Sequence, residues 1–257
     1  MLLEGKVCII TGVSSLRGIG YATAELFAHH GAKIAALSLA MNDEIAGEVS
    51  RAISERCSAM PDIITTACDI SRIEDCSAAV AATLSRFGRV DCLVNCAGIV
   101  GSQGMLDVRQ TDLAQMISVN LVGAFNIAQS VLPVMVEQGG GSIVNVASVA
   151  AQRGGGSVGG GHYAASKGGV ISMTRTIARE FGPKGVRANT VCPSMTETGM
   201  LDGRISMQDF EQVISGIPLR RAGRAIDVAG ACLFLVSELS AYVTGATIDV
   251  NGGSHIH

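Results

Sequence analysis

Charged side chains are scarce in this chain: Asp, Glu, Lys and Arg make up 16 % of 257 residues, with a formal net charge of -3. No basic run appears, so the charge pattern calls for neither nucleic acid nor an anionic membrane as partner. A Cys-x-x-Cys pair is also missing. The eight cysteines, at 8, 57, 68, 76, 92, 96, 192 and 232, lie mostly in apolar segments and read as buried free thiols of a cytoplasmic protein. The N-terminal apolar run Val7–Ile10 is too short for a signal peptide or a membrane span. No Pro/Ser-rich linker or internal repeat divides the chain. The histidines at 29, 30, 162, 255 and 257 lack metal-ligand spacing, and no metal site is expected.

What is present is apolar and glycine-rich: 48 % hydrophobic residues and 32 glycines. Short aliphatic runs at 6–11, 33–38, 63–67, 91–95, 142–147, 186–191 and 247–250 alternate with amphipathic stretches. Those stretches lie near 18–30, 43–57, 72–87, 110–137, 162–182 and 226–236. Strands that read as continuous apolar runs between helices predict an α/β fold, a single doubly wound (Rossmann) domain over 1–257 with a seven-stranded parallel sheet. Two stretches break the rhythm. Gly154–Gly161 is a glycine-rich loop containing Ser157 and Val158, and 194–217 is an excursion carrying Met195, Met200, Leu201, Met207 and Phe210. Both follow predicted strands, where open sheets bind ligands, and both are candidate pocket walls.

The first strand runs into Thr11-Gly12-Val13-Ser14-Ser15-Leu16-Arg17-Gly18-Ile19-Gly20 and then into a helical pattern. Glycines there allow a tight turn and let a pyrophosphate reach backbone N–H groups at the positive end of a helix. No Gly-Lys-Ser/Thr follows, which disfavours a nucleoside-triphosphate loop. After the second strand an NAD site should offer an acid to the ribose, but Leu37-Ser38-Leu39-Ala40 offers none before Asp43. Arg17 stands where a cation could meet a 2′-phosphate, which favours NADP. The alternative has Arg17 in solvent and Ser38 at the ribose, with NAD sufficing.

In Tyr163-Ala-Ala-Ser-Lys167 a phenol and an ammonium share one helical face, where the Lys167 charge is expected to pull the Tyr163 pKa below its ordinary value of about 10. Such a phenol can exchange a proton with an alcohol oxygen. Ser148 lies in no Gly-x-Ser-x-Gly elbow and reads as a hydrogen-bond donor rather than a nucleophile.

The glycine loop, Asp69-Ile70, Asn95-Cys96-Ala97-Gly98, Asn120, Ser148, Tyr163-x-x-x-Lys167, Pro193-x-x-x-x-Thr198, Tyr242-Val-Thr-Gly245 and Asp249-Val-Asn-Gly-Gly253 follow one another in order. In this the whole chain resembles the short-chain dehydrogenase/reductase family, in particular its 3-oxoacyl carrier-protein reductases and secondary-alcohol dehydrogenases. The resemblance implies catalysis by Asn120, Ser148, Tyr163 and Lys167. Tyr163 would be the acid/base and Ser148 the donor to the substrate oxygen. Lys167 would hold the nicotinamide ribose, and Asn120 a water that links Lys167 to solvent. Gly12, Ser14, Ser15, Arg17, Gly18, Ile19, Gly20 and Ser38 would receive the phosphates and ribose. Asp69, Ile70, Asn95, Ala97 and Gly98 would border the adenosine, and Pro193, Thr196 and Thr198 the nicotinamide. Relatives pair their long helices into homotetramers, and the small residues Gly168, Gly169 and Ala178 would suit such packing here.

Three departures stand out. Gly12 and Gly18 have five residues between them where three are usual, which can reshape the site around Ser14, Ser15 and Arg17. Ser148 and Tyr163 are fifteen apart rather than thirteen, and Ser194 replaces a glycine after Pro193. The expected activity is hydride transfer between a nicotinamide cofactor, NADPH favoured and NAD the alternative, and a ketone or secondary alcohol of moderately apolar character. Val149, Val158, Met195, Met200, Leu201 and Met207 would form the pocket walls, with Arg153 and Arg204 as cations. Fold alone also allows an idle nucleotide-binding regulator, against which the four catalytic groups argue. A sugar-nucleotide epimerase would be expected to carry a larger C-terminal region.

Overall fold

The computed structural model describes every residue except Ser58, Ala59, Ser157, Arg204 and His257, and except the side chain of Leu201. The roles expected of Ser157, Arg204, His257 and the Leu201 side chain therefore lie outside the described residues. Strands β1 (Val7–Thr11), β2 (Lys33–Ser38), β3 (Ile63–Ala67), β4 (Cys92–Asn95), β5 (Gly141–Val146), β6 (Val186–Pro193) and β9 (Thr247–Val250) form one sheet. Its order is β3-β2-β1-β4-β5-β6-β9 and every pairing is parallel. The order reverses between β1 and β4, and ligands of such sheets bind beyond the strand ends at that point. The remaining strands, β7 (Thr196–Glu197) and β8 (Gly223–Arg224), pair with each other.

The strands read as unbroken apolar runs because both faces are covered. Over one face lie α3 (Ile73–Phe87), α5 (Gly123–Glu137) and α7 (Gly161–Phe181), which bury Val80, Ile127, Met135, Val170 and Ile177. Over the other lie α1 (Ile19–His29), α2 (Asp43–Ser54) and α9 (Ala225–Val236), with Phe27, Val49, Ile53 and Leu235 inside. Each fully buried aliphatic or aromatic side chain of this kind contributes about 1.5–3 kcal/mol. Helix ends follow local chemistry: Asn42 accepts from the Ile45 N–H at 2.9 Å to start α2, and Gly88 at φ +78 ends α3.

The expected continuous helix over 110–137 is broken. It divides into α4 (Gln110–Ile117), a π turn (Ser118–Val122) and α5. By length and composition the stretch Gln110–Glu137 could cross a membrane, but α5 packs between α3 and α7 as a core helix. Two short helices are additions to the expected set: α6 (Ala150–Arg153), directly after Ser148, and α8 (Met207–Ser215), inside the excursion. Apolar residues at 207, 210, 213 and 214 carry the helical period of α8 and Ser206 caps it, its Oγ accepting from the Asp209 N–H at 3.1 Å.

Candidate active site

A cavity of about 420 Å³ opens beyond the strand ends. Its floor is the catalytic set read from the sequence. Ser148 lies two residues past β5, and α6, which begins at Ala150, fixes it: Ser148 Oγ accepts from the Ala150 N–H at 3.1 Å. Tyr163 and Lys167 stand four apart on α7 and both face the cavity. The Ser148 hydroxyl stands beside the Tyr163 phenol and acts to lower its pKa. Lys167 is buried, and its Nζ donates to the carbonyl of Val146, the last residue of β5, at 2.8 Å.

The electrostatics differ from the expectation that Lys167 depresses the Tyr163 pKa. Burial raises the phenol above its ordinary value, opposed by the Ser148 hydroxyl, and Lys167 is not among the causes of the shift. Lys167 itself is pulled down to about 8 by burial. The partner of the ammonium is the Val146 carbonyl.

Asn120 sits in the π turn, a distortion that often marks functional sites. Its Oδ1 accepts from the Ile99 N–H at 2.8 Å, and its Nδ2 donates to the Ile99 carbonyl at 2.9 Å and to Ser166 Oγ at 3.0 Å. Ser166 in turn donates to the Tyr163 carbonyl at 2.7 Å. Asn120 thus ties the segment after β4 to the first turn of α7. A Cβ on Gly98 would stand 3.0 Å from Asn120 Oδ1 and 3.3 Å from Lys167 Nζ, so a side chain there would crowd the point where these groups converge. Ser166 was missed in the sequence, although it stands inside the Tyr-Lys motif.

The glycine-rich loop before α7 buttresses the phenol. Gly159 has φ +89, and a Cβ there would come within 2.6 Å of the Tyr163 ring. Val149, Val158, Met195 and Met200 line the cavity as expected, and Arg153 stands among them with Nη1 donating to the Ser254 carbonyl at 3.3 Å. Met207 does not: at 74 % exposure it faces solvent on α8. The α8 side of the cavity is instead Asp209, Gln212 and Val213, with Ile217 beyond the helix.

The turn from β1 to α1 has the shape a pyrophosphate needs. Gly12 takes φ +75, and a Cβ on Gly20 would lie 2.5 Å from the Gly12 carbonyl oxygen, so the helix start can lie this close only without a side chain. Gly18 caps α1, its N–H donating to the Ser15 carbonyl at 2.8 Å. The two extra residues bulge outward, leaving Ser15, Leu16 and Arg17 exposed and Ser14 at the turn. Arg17 there forms an ion pair with Asp202.

Of the remaining expected positions, Ile19, Gly98, Pro193, Thr196 and Thr198 line the same cavity. Ser194 Oγ donates to the Asn251 carbonyl at 3.1 Å, bracing the Pro193 turn. Others support it from behind. Asn95 accepts from Thr11 Oγ1 at 2.7 Å and donates to Asn145 at 3.3 Å, a buried polar row at one level of β1, β4 and β5, while Thr11 Oγ1 also holds the Ala97 N–H at 3.0 Å. Ile70 is buried beneath α5, where a Cβ on Gly123 would approach it to 2.7 Å. Asp69 Oδ1 is engaged by the N–H and hydroxyl of Ser71, and Ser38 is buried at the end of β2.

A switch-point crevice, a glycine cradle and a hydroxyl–phenol–amine cluster define an oxidoreductase that works with a dinucleotide. The family model described as enoyl-(acyl carrier protein) reductase matches residues 12–255. An uncharacterized short-chain type dehydrogenase/reductase of Sinorhizobium fredii is 44 % identical over 100 % of both chains. A 3-oxoacyl-(acyl-carrier-protein) reductase of Thermotoga maritima is 39 % identical, covering 98 % of this chain and 99 % of its own. The crystal structure of levodione reductase superposes with a TM-score of 0.91 at 32 % identity, covering 98 % of each chain. The chain belongs to the short-chain dehydrogenase/reductase family and is an NAD(P)-dependent oxidoreductase.

Proposed function

We propose that this protein interconverts a ketone and a secondary alcohol of moderately apolar character, with NADPH as the favoured cofactor and NAD as the alternative. The observation that carries the reading is the Ser148–Tyr163 hydroxyl pair facing the cavity beside a buried, pinned Lys167. Hydride arriving at a carbonyl carbon builds negative charge on its oxygen, and two hydroxyls aimed there stabilise it. Tyr163 donates its proton to that oxygen and Ser148 holds it in place. Burial raises the phenol, so the proton is fully in place at neutral pH. In this reading Lys167 and Asn120 would replenish that proton, and Lys167, at about 8, is itself close to the working range.

The glycine cradle fits a dinucleotide, and the nicotinamide supplies or accepts the hydride. Gly12, Ser14, Ser15, Gly18, Ile19 and Gly20 would hold its pyrophosphate, and Arg17 and Ser38 the adenosine ribose with its 2′-phosphate. Asp69, Ala97 and Gly98 would border the adenosine. Pro193, Thr196 and Thr198 would orient the nicotinamide, and Lys167 its ribose. Asn95 and Ile70, whose side chains are buried behind this surface, would border the adenosine through their backbone. The chain would act as one domain with 194–217 as its substrate wall, as a cytoplasmic homotetramer. Gly169 and Ala178 do not advertise that assembly, because they pack internally on Leu121 and on the Gly245 turn. Turnover of a ketone panel with NADPH and NADH tests the assignment: a Tyr163→Phe protein that reduces the panel as fast as wild type ends it.

A further inference from the structure

The ion pair of Arg17 and Asp202 joins segments 185 positions apart. Nη1 donates to Oδ2 at 2.9 Å and Nη2 to Oδ1 at 3.2 Å, a two-pronged contact that occupies both terminal nitrogens of the guanidinium. On one side lies the lengthened bulge of the glycine loop. On the other lies the turn Gly199–Leu201, whose neighbours Thr198 and Met200 wall the cavity. The same segments approach again where Ser15 Oγ lies 3.6 Å from a Cβ position on Gly199. Neither Arg17 nor Asp202 is among the residues that line the cavity; Arg17 lies on the exposed bulge before α1.

We propose that Asp202 is a cofactor-selectivity residue: it holds the guanidinium that a 2′-phosphate must take, so NADPH binding is an exchange of partners on Arg17. The proposal rests on the reading of Arg17 as the 2′-phosphate cation. A phosphate monoester brings nearly two negative charges and three acceptor oxygens against the single charge of a carboxylate. The Arg17–Asp202 pair is well exposed on both sides, at 64 % and 60 %, and such pairs are weak. The phosphate therefore displaces Asp202, but with part of its affinity cancelled by the contact it breaks. NADH, without that phosphate, leaves the pair closed. The exchange also frees the Gly199–Asp202 end of the substrate wall in the NADPH complex and not in the NADH complex.

Titration calorimetry of the full-length protein with NADPH and NADH tests this in wild type, Asp202→Asn, Asp202→Glu, Arg17→Ala and the Arg17→Ala/Asp202→Asn double variant. Asp202→Asn should tighten NADPH about two- to fivefold, the range of an exposed ion pair, with NADH unchanged. Asp202→Glu should keep wild-type selectivity. In the Arg17→Ala background Asp202→Asn should change nothing, because no guanidinium remains to be released. A gain that persists without Arg17 is simple charge repulsion and overturns the exchange. So does an Asp202→Asn protein whose NADPH-to-NADH affinity ratio equals that of wild type while Arg17→Ala still weakens NADPH. If Arg17→Ala leaves NADPH binding intact, the underlying phosphate assignment is the one that fails.

Discussion

The two walls of the cavity are built by different means. Ser148, Tyr163, Lys167 and Asn120 stand just past β5, on α7 and in the π turn, and the polar groups of Ser148, Lys167 and Asn120 are braced by backbone partners at 2.8–3.1 Å. The facing wall, residues 194–217, is a two-residue strand, a single turn and the nine-residue α8, which buries none of its described side chains. It is secured by exposed contacts such as Arg17–Asp202 and the Ser206 cap. A proton donor must be held within a fraction of an ångström, and rigid elements provide that. A wall that chooses substrates is drawn from the low-stability end of the fold, where it can adjust. In the proposed function, one wall would carry the reaction and the other would select what undergoes it.

The sharpest break of this comparison is in activity. Tyr163→Phe should lower kcat/KM about 10²–10⁴-fold for every ketone tested, the usual weight of a general acid. Met200→Ala on the facing wall should alter KM, by amounts that differ among ketones, and leave kcat within roughly tenfold, since losing apolar contact is worth about 1–3 kcal/mol. Equal losses in the two variants would erase the distinction. Ser148→Ala should follow with a loss of about 10²–10³ in kcat, the cost of one donor to the developing oxyanion.

Stability provides the next contrast. Asn120→Ala leaves the Ile99 N–H and carbonyl unpaired and should destabilise the protein by about 1–3 kcal/mol in a denaturant titration. Ser206→Ala removes the cap of α8. It should cost about 1 kcal/mol locally, read as faster amide exchange over 207–215 with little change in the global midpoint. A global loss from Ser206→Ala would mean that α8 belongs to the rigid body.

The smallest effect is a pH dependence. In the cofactor-free protein burial lowers Lys167 from 10.5 to about 8. The unfolded chain then keeps this proton to higher pH than the folded one, so unfolding takes up a proton between about pH 8 and 10.5. The Lys167 contribution to stability rises with pH across that window and is flat below it. The unfolding free energy of wild type minus that of Lys167→Met should increase from pH 8 to 10. A difference that stays constant would show that the amine titrates normally.

Much of this architecture was legible along the chain, and the unread parts share a cause. The seven strands, the glycine turn and the Tyr163/Lys167 spacing depend on neighbours within a few residues, so periodicity and turn chemistry reveal them. The π turn at Asn120 was not legible, because it accompanies side-chain bonds to Ile99 and Ser166 from other elements. Helix α8 was read as loop because its nine residues bury little, and a weak apolar stripe resembles an irregular segment.

Residue order alone determined a parallel, doubly covered sheet and the one helical face that presents a phenol and an amine, since both follow from the periods of strand and helix. Tertiary structure decided the charges. Lys167, buried and bonded to the Val146 carbonyl, is not among the causes that shift the phenol, and a fold contact across 185 positions gave Arg17 an acidic partner. Electrostatic interaction depends on distance and burial in space, and neither is written in sequence separation.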